Sequence, residues 1–228
     1  MRSTALGAPS NANPYISPKY RANDWQALKL LKTSSADWQV AVDMFHDRIH
    51  GRFLAPVEAI ISHPDSKIQE FSGFAILAID CLLVETLNQF HKGTDETEGS
   101  HQDAFWDFFS KSRFFRTEFD TKKKAQIFYG HFRCGILHQA QTKKLSKVRI
   151  GMPAMVQPTI PNNIDEGLTI DRGKFHQALI DEIIDYMQRL RAPVNREDHV
   201  LRESFVTKMS FIAGCQPTSP YPRMRTRQ

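Results

Sequence analysis

The feature that most constrains this chain is its one long apolar run, Phe71 to Leu87, which carries Asp80 near its centre and Glu85 close to its end. A run of this length suits either a membrane span or a helix in the middle of a folded core. A carboxylate deep in lipid is costly, so the run predicts a buried core helix, about Ile68 to His91, apolar on nearly every side. Each carboxylate then either caps a backbone group or pairs with a cation.

The flanking sequence predicts further helices. With 41% hydrophobic residues and 16 phenylalanines among 228 residues, a thick helical core can form. Asp37 is a candidate cap for a helix through Trp38, Val42, Phe45 and Ile49, continued from Phe53 to Ile61 with a kink at Pro56. Phe105, Trp106, Phe108 and Phe109 mark a short helix. Asp120 is a candidate cap for the next, over 121–141, whose apolar residues Ile127, Phe128, Phe132, Ile136 and Leu137 recur at helical spacing. Phe175 to Leu190 and Arg196 to Ala213 predict two more. Between them, Lys147–Ile150 and Leu168–Ile170 favour strand, with Pro153, Pro158 and Pro161 in the interval. The expected fold is all-α, a helical bundle with a small β-hairpin or irregular excursion near 146–171. Residues 1–34, interrupted by Pro9, Pro14 and Pro18, read as a loosely ordered leader, 35–192 as the helical domain, and 193–228 as a C-terminal helix and basic tail.

Three scattered cysteines, Cys81, Cys134 and Cys215, are no disulfide framework, and Met1 to Asn23 contains no apolar stretch of a secretory signal. The expectation is a cytoplasmic protein with no membrane association. The formal charge of +5 is modest, but the positive residues cluster: Lys122, Lys123 and Lys124 in one group, Lys143, Lys144, Lys147 and Arg149 in another. Such groups are solvated surface or contacts for a polyanion.

The chemistry concentrates in Tyr129-Gly130-His131-Phe132-Arg133-Cys134-Gly135-Ile136-Leu137-His138-Gln139. Each glycine inside a helix costs about 1 kcal/mol relative to alanine, and close approach of another helix is the usual compensation. His131 and His138 stand seven residues apart, on nearly one face, with Cys134 and Gly135 between them. Arg133 starts well round the helix, though its long stem can bring the guanidinium toward the same groove.

An Arg and a His with four residues between them, late in a core helix, resemble the motif of the HEPN domains. Arg133 and His138 match that spacing, and the preceding apolar helix with Asp80 and Glu85 is similar to the family's layout. The architectural resemblance covers about 35–192, but the specific motif is only six residues long. The resemblance implies a metal-independent endoribonuclease of a defence or toxin system, with no cofactor. It implies RNA as substrate, a homodimer through the 121–141 helix, and a neutralising or regulatory partner. Cys134 departs from the family, in which a polar residue commonly follows the Arg.

Under that resemblance His138 handles the proton of the ribose 2′-OH, and Arg133 holds phosphate oxygens while negative charge builds on phosphorus. His131 would assist, Asp80 or Glu85 would anchor Arg133, and the lysines at 122–124 and 143–144 would contact RNA. Rival readings of the same residues are a non-catalytic HEPN-like module binding RNA or protein, and a purely structural ion pair at Arg133. A metal site of His131, Cys134 and His138 and a Cys134–His138 nucleophile pair are two more.

Overall fold

A computed structural model describes residues 13–30, 36–97 and 99–216. The chain is mostly helical, with one small sheet. Helix α1 (Ala22–Gln26) is followed by α2 (Ala36–Ile49), a π turn at His50–Leu54, and α3 (Ala55–Ile61). Pro56 stands at the start of α3. A proline there cannot donate to the turn before it, and the widened turn, in which Ala55 N–H reaches His50 O, absorbs the mismatch. The kink expected at Pro56 is thus a π turn.

The long apolar segment is not one helix. It breaks at Ser72 into α4 (Ser66–Phe71) and α5 (Gly73–Lys92), and Gly93 ends α5 in the left-handed region at φ 69°. Nor is it apolar and buried on every side. Ile76, Leu77, Leu83, Val84 and Leu87 are buried, whereas Phe71 is 77% exposed and Phe74 and Leu82 also reach solvent. Among the described residues α5 alone has the length and composition to cross a membrane, and most of its apolar window is buried inside the fold. Helices α6 (His101–Lys111), α9 (Arg172–Arg191) and α10 (Arg196–Ile212) pack directly on it.

The segment predicted as a single helix over 121–141 consists of α7 (Lys122–Phe128), a second π turn (Tyr129–Arg133) and α8 (Cys134–Gln139). Its cap is Thr121, whose side chain accepts from Lys124 N–H, and not Asp120. The sheet is larger than a hairpin. β1 (Lys147–Arg149) runs parallel to β3 (Asn163–Asp171), and β2 (Val156–Ile160) pairs antiparallel on the other side of β3. Pro158 is tolerated in β2 because an edge strand has one side that needs no donor.

Two aromatic groups fill the core. Phe105, Phe109, Phe115, Phe119, Phe128 and Phe175 pack ring against ring, with Phe109 and Phe119 stacked at 4.0 Å. Trp25, Trp38, Phe45, Phe90 and Tyr186 surround Phe205 of α10. Each buried ring contributes roughly 1.5–3 kcal/mol. Residues 13–30 fall within the expected leader, yet Ile16, Trp25 and Leu30 are buried and Trp25 Nε1 donates to Ser210 Oγ at 3.3 Å. Residues 1–12 of that leader and the basic tail after Gln216 lie outside the described residues.

The join between α9 and α10 is stapled by Asp198. Its carboxylate accepts from Arg189 Nε at 2.7 Å and from Val194 and Asn195 N–H at 2.9 and 3.3 Å, closing a capping box at the start of α10. Burial raises the Asp198 pKa, but Arg189 and the two N–H groups more than offset this and hold it below the usual range. A depressed folded value means a contribution present in full above the unfolded pKa and lost as pH falls through the folded one. Asp198→Ala should therefore cost about 1–2 kcal/mol at neutral pH. It should also flatten the fall of melting temperature below pH 4. Calorimetric scans across pH check both.

Candidate functional site

Glu85, on the fourth turn of α5 facing α8, is the hub of the polar cluster around Arg133. Its Oε1 accepts from Arg133 Nε at 2.9 Å, and its Oε2 lies 3.3 Å from His101 Nδ1 at the start of α6. The two side chains are 17% and 11% exposed, so the pair is largely shielded from water. Burial alone would lower the Arg133 pKa, but the Glu85 bond and charge outweigh it and the net shift is upward. The guanidinium also sits over the Tyr129 ring, 5.6 Å from its centre. With Nε spent on Glu85, the two terminal nitrogens carry no bond among the described residues and are not buried. The fork is held at its base and open at its tip.

His138 occupies the last turn of α8 and is exposed. Positions 133 and 138 start roughly 140° apart around a helix of 3.6 residues per turn. The structure thus fixes Arg133 toward α5 and leaves His138 on the outer side. Helix α8 then ends at Ala140, in the left-handed region at φ 52°.

His131 is not aligned with His138 on a shared open face. Its Nδ1 lies 2.9 Å from Ser146 Oγ, which also accepts from Leu168 N–H. The serine proton is free to point at Nδ1, an arrangement that would place the imidazole hydrogen on Nε2. Burial, then the charges of Lys144 and Lys143, push its pKa below the ordinary value. The small-residue strip is likewise already filled. A Cβ on Gly135 would stand 2.5 Å from Gln141 O, so the glycine admits the chain's own 140–143 loop and not another helix. A Cβ on Gly130 would meet nothing within 4 Å, and that glycine lies inside the π turn.

Asp80 does not anchor Arg133. It is fully buried and accepts from His176 Nδ1 of α9 at 2.7 Å, with burial raising its pKa against the opposing pull of that histidine. The lysines expected to touch RNA are engaged elsewhere. Lys122 pairs with Asp103 at 2.8 Å, Lys123 with Asp165 at 2.6 Å and Lys124 with Asp120 at 3.0 Å. Lys144 Nζ donates to Asp165 O, while Lys143 makes no ion pair among the described residues. Exposed pairs of this kind contribute little, so they can be exchanged for a phosphate.

Cys134 is half-buried beside the Tyr129 hydroxyl; burial and this contact raise the tyrosine's pKa. Among the described residues no group of three or more His, Cys, Asp or Glu is arranged to hold a metal ion. The Tyr129 contact was within reach of the sequence, since it stands one turn before Arg133. His101, Ser146 and His176 carried no local signal. A larger cavity, about 530 Å³, lies between α5, α6 and α9 and is lined by Asn88, His91, Ser112 and Glu182, but by neither Arg133 nor His138. There the Ser112 hydroxyl donates to Glu182 and not to His91, so no serine–histidine relay is formed.

Breaking the anchor leaves one shielded charge without its partner. Glu85→Ala and Arg133→Ala should each destabilise the fold by about 1–3 kcal/mol, with a coupling energy of similar size in the double mutant. Urea unfolding of the four proteins measures it. In an NMR titration His131 should protonate below its ordinary pKa and show the Nε2–H tautomer, and Ser146→Ala should remove the tautomer preference. No family model, curated protein or solved structure matches this chain.

Proposed function

We propose that the protein is a HEPN-like, metal-independent endoribonuclease acting in a defence or toxin system, with Arg133 and His138 as its reactive pair. The observation that carries this reading is the posture of Arg133: Nε is tied to Glu85, and the open fork can donate to two phosphate oxygens. An imidazole on the surface of the same helix supplies a group whose intrinsic pKa suits proton transfer.

In the proposed reaction the 2′-oxygen attacks the adjacent phosphorus as His138 takes its proton. Arg133 stabilises the charge on the non-bridging oxygens, the bond from phosphorus to the 5′-oxygen breaks, and the leaving 5′-oxygen takes a proton from water. The products are a 2′,3′-cyclic phosphate and a 5′-OH. A fork facing α5 and a histidine on the outer side are reconciled if two copies pair through the 122–139 segment, so that His138 of one copy serves Arg133 of the other. The surrounding lysines would follow the phosphate backbone once released from their carboxylates. A second reading, a non-catalytic RNA- or protein-binding module, is favoured by the number of those lysines already paired with acids.

The test is cleavage of RNA in EDTA with analysis of the product ends. Arg133→Ala and His138→Ala should each lower the rate by at least about 100-fold. Mixing the two inactive variants should restore about a quarter of wild-type activity, because half of the exchanged dimers regain one composite site. Salt-sensitive RNA binding without cleavage would instead establish the second reading.

A further inference from the structure

Arg172 opens α9 and is only 5% exposed, yet it forms no ion pair among the described residues. Its Nη2 donates to Gln69 O at the end of α4, while its Nη1 is buried with no partner. Asp171, next in the chain, has its two oxygens taken by the N–H groups of Met152 and Lys174. The Asp171 charge offsets part of the cost of burying this guanidinium, but burial prevails and no carboxylate bonds to it directly.

The start of α5 adds to this positive charge. Ser72 gives that helix no side-chain cap, because its hydroxyl turns back onto Ile68 O. The N–H groups of the first turn have no partner within the helix, and the positive end of the helix dipole lies there. A Cβ on Gly73 would stand 3.6 Å from Arg172 Nη1, so the guanidinium lies directly against this helix start. Two electropositive features that repel each other are thus packed together.

Both border one groove. It measures about 470 Å³ and is walled by Phe71, Phe74, Val148 and Ile150, with Arg172 and Gly73 in its lining. Phe71 is 77% and Ile150 58% exposed, far more than apolar side chains of this size need be. Arg149 and Glu70 also line the groove. Two arginines against one glutamate leave room for a single negative charge on the occupant, and the apolar walls require a hydrocarbon body.

We propose that this groove binds a small amphipathic carboxylate, with its head group against the Arg172 side chain and the first turn of α5 and its hydrocarbon tail along Phe71, Phe74 and Ile150. The site is independent of Arg133 and His138. Gly73 and Glu85 are twelve residues apart on α5, about 18 Å along the axis.

The experiment is calorimetric titration of the full chain with octanoate, octanol and octylammonium, with melting temperatures measured alongside. Octanoate should bind saturably and raise the melting temperature, and the other two should bind at least about tenfold more weakly. Arg172→Gln should abolish this preference for the carboxylate. Because Arg172 also ties down α4, Phe71→Ser, an exposed change, is the second variant and should weaken octanoate at least about fivefold. Equal binding of octanol and octanoate would reduce the groove to an apolar patch and overturn the proposal. So would the absence of octanoate binding, or unchanged affinity in Phe71→Ser. A peptide with a free C-terminal leucine that binds while octanoate does not would overturn it in favour of a protein partner.

Discussion

A carboxylate on a buried helix must be met by a donor from another element, and α5 carries two. Glu85 draws Arg133 from the second π turn and His101 from α6, and Asp80 draws His176 from α9. These bonds fix how three elements are rotated against the central helix, which apolar packing alone specifies loosely. The aromatic groups supply most of the cohesion, and the polar pairs decide which face of each helix is turned inward. Arg133 is oriented by the same rule: its base is recruited by the core, and only its tip is left to meet a ligand.

Much of this was legible in the sequence, and the reasons for the rest are physical. The apolar run with Asp80 and Glu85 announced a central helix, and made either carboxylate a candidate anchor for Arg133. Which carboxylate would take which cation did not follow. His176 lies 96 residues from Asp80, and no local pattern connects them. The exposure of Phe71 and Leu82 was hidden because composition reports apolarity and not which side is covered. The break at Ser72, which turns one predicted helix into two, is marked only by the Ser72-Gly73 dipeptide, a signal outweighed by the apolar residues on both sides.

The sheet and the lysines show the same limit. β2 was missed because Pro158 reads as a breaker, and only its edge position makes it acceptable. The pairing of Lys123 with Asp165 closes over 42 residues through the register of β3, so a lysine cluster that reads as free charge is partly neutralised by the fold. Neither π turn has a composition that periodicity would detect. The first is explained by Pro56; the second, at Tyr129–Arg133, has no proline within it.

That second wide turn takes up one more residue than a regular helix would. The segments on its two sides therefore hold their angular positions one residue out of step. Removal of a single amino acid between Tyr129 and Arg133 would restore an unbroken helix and leave the segment beyond it facing as it does now. The same removal from a regular turn would swing everything beyond it by about 100°. The wide turn is thus the place in this segment where a change in length is absorbed without a rotation of the candidate site.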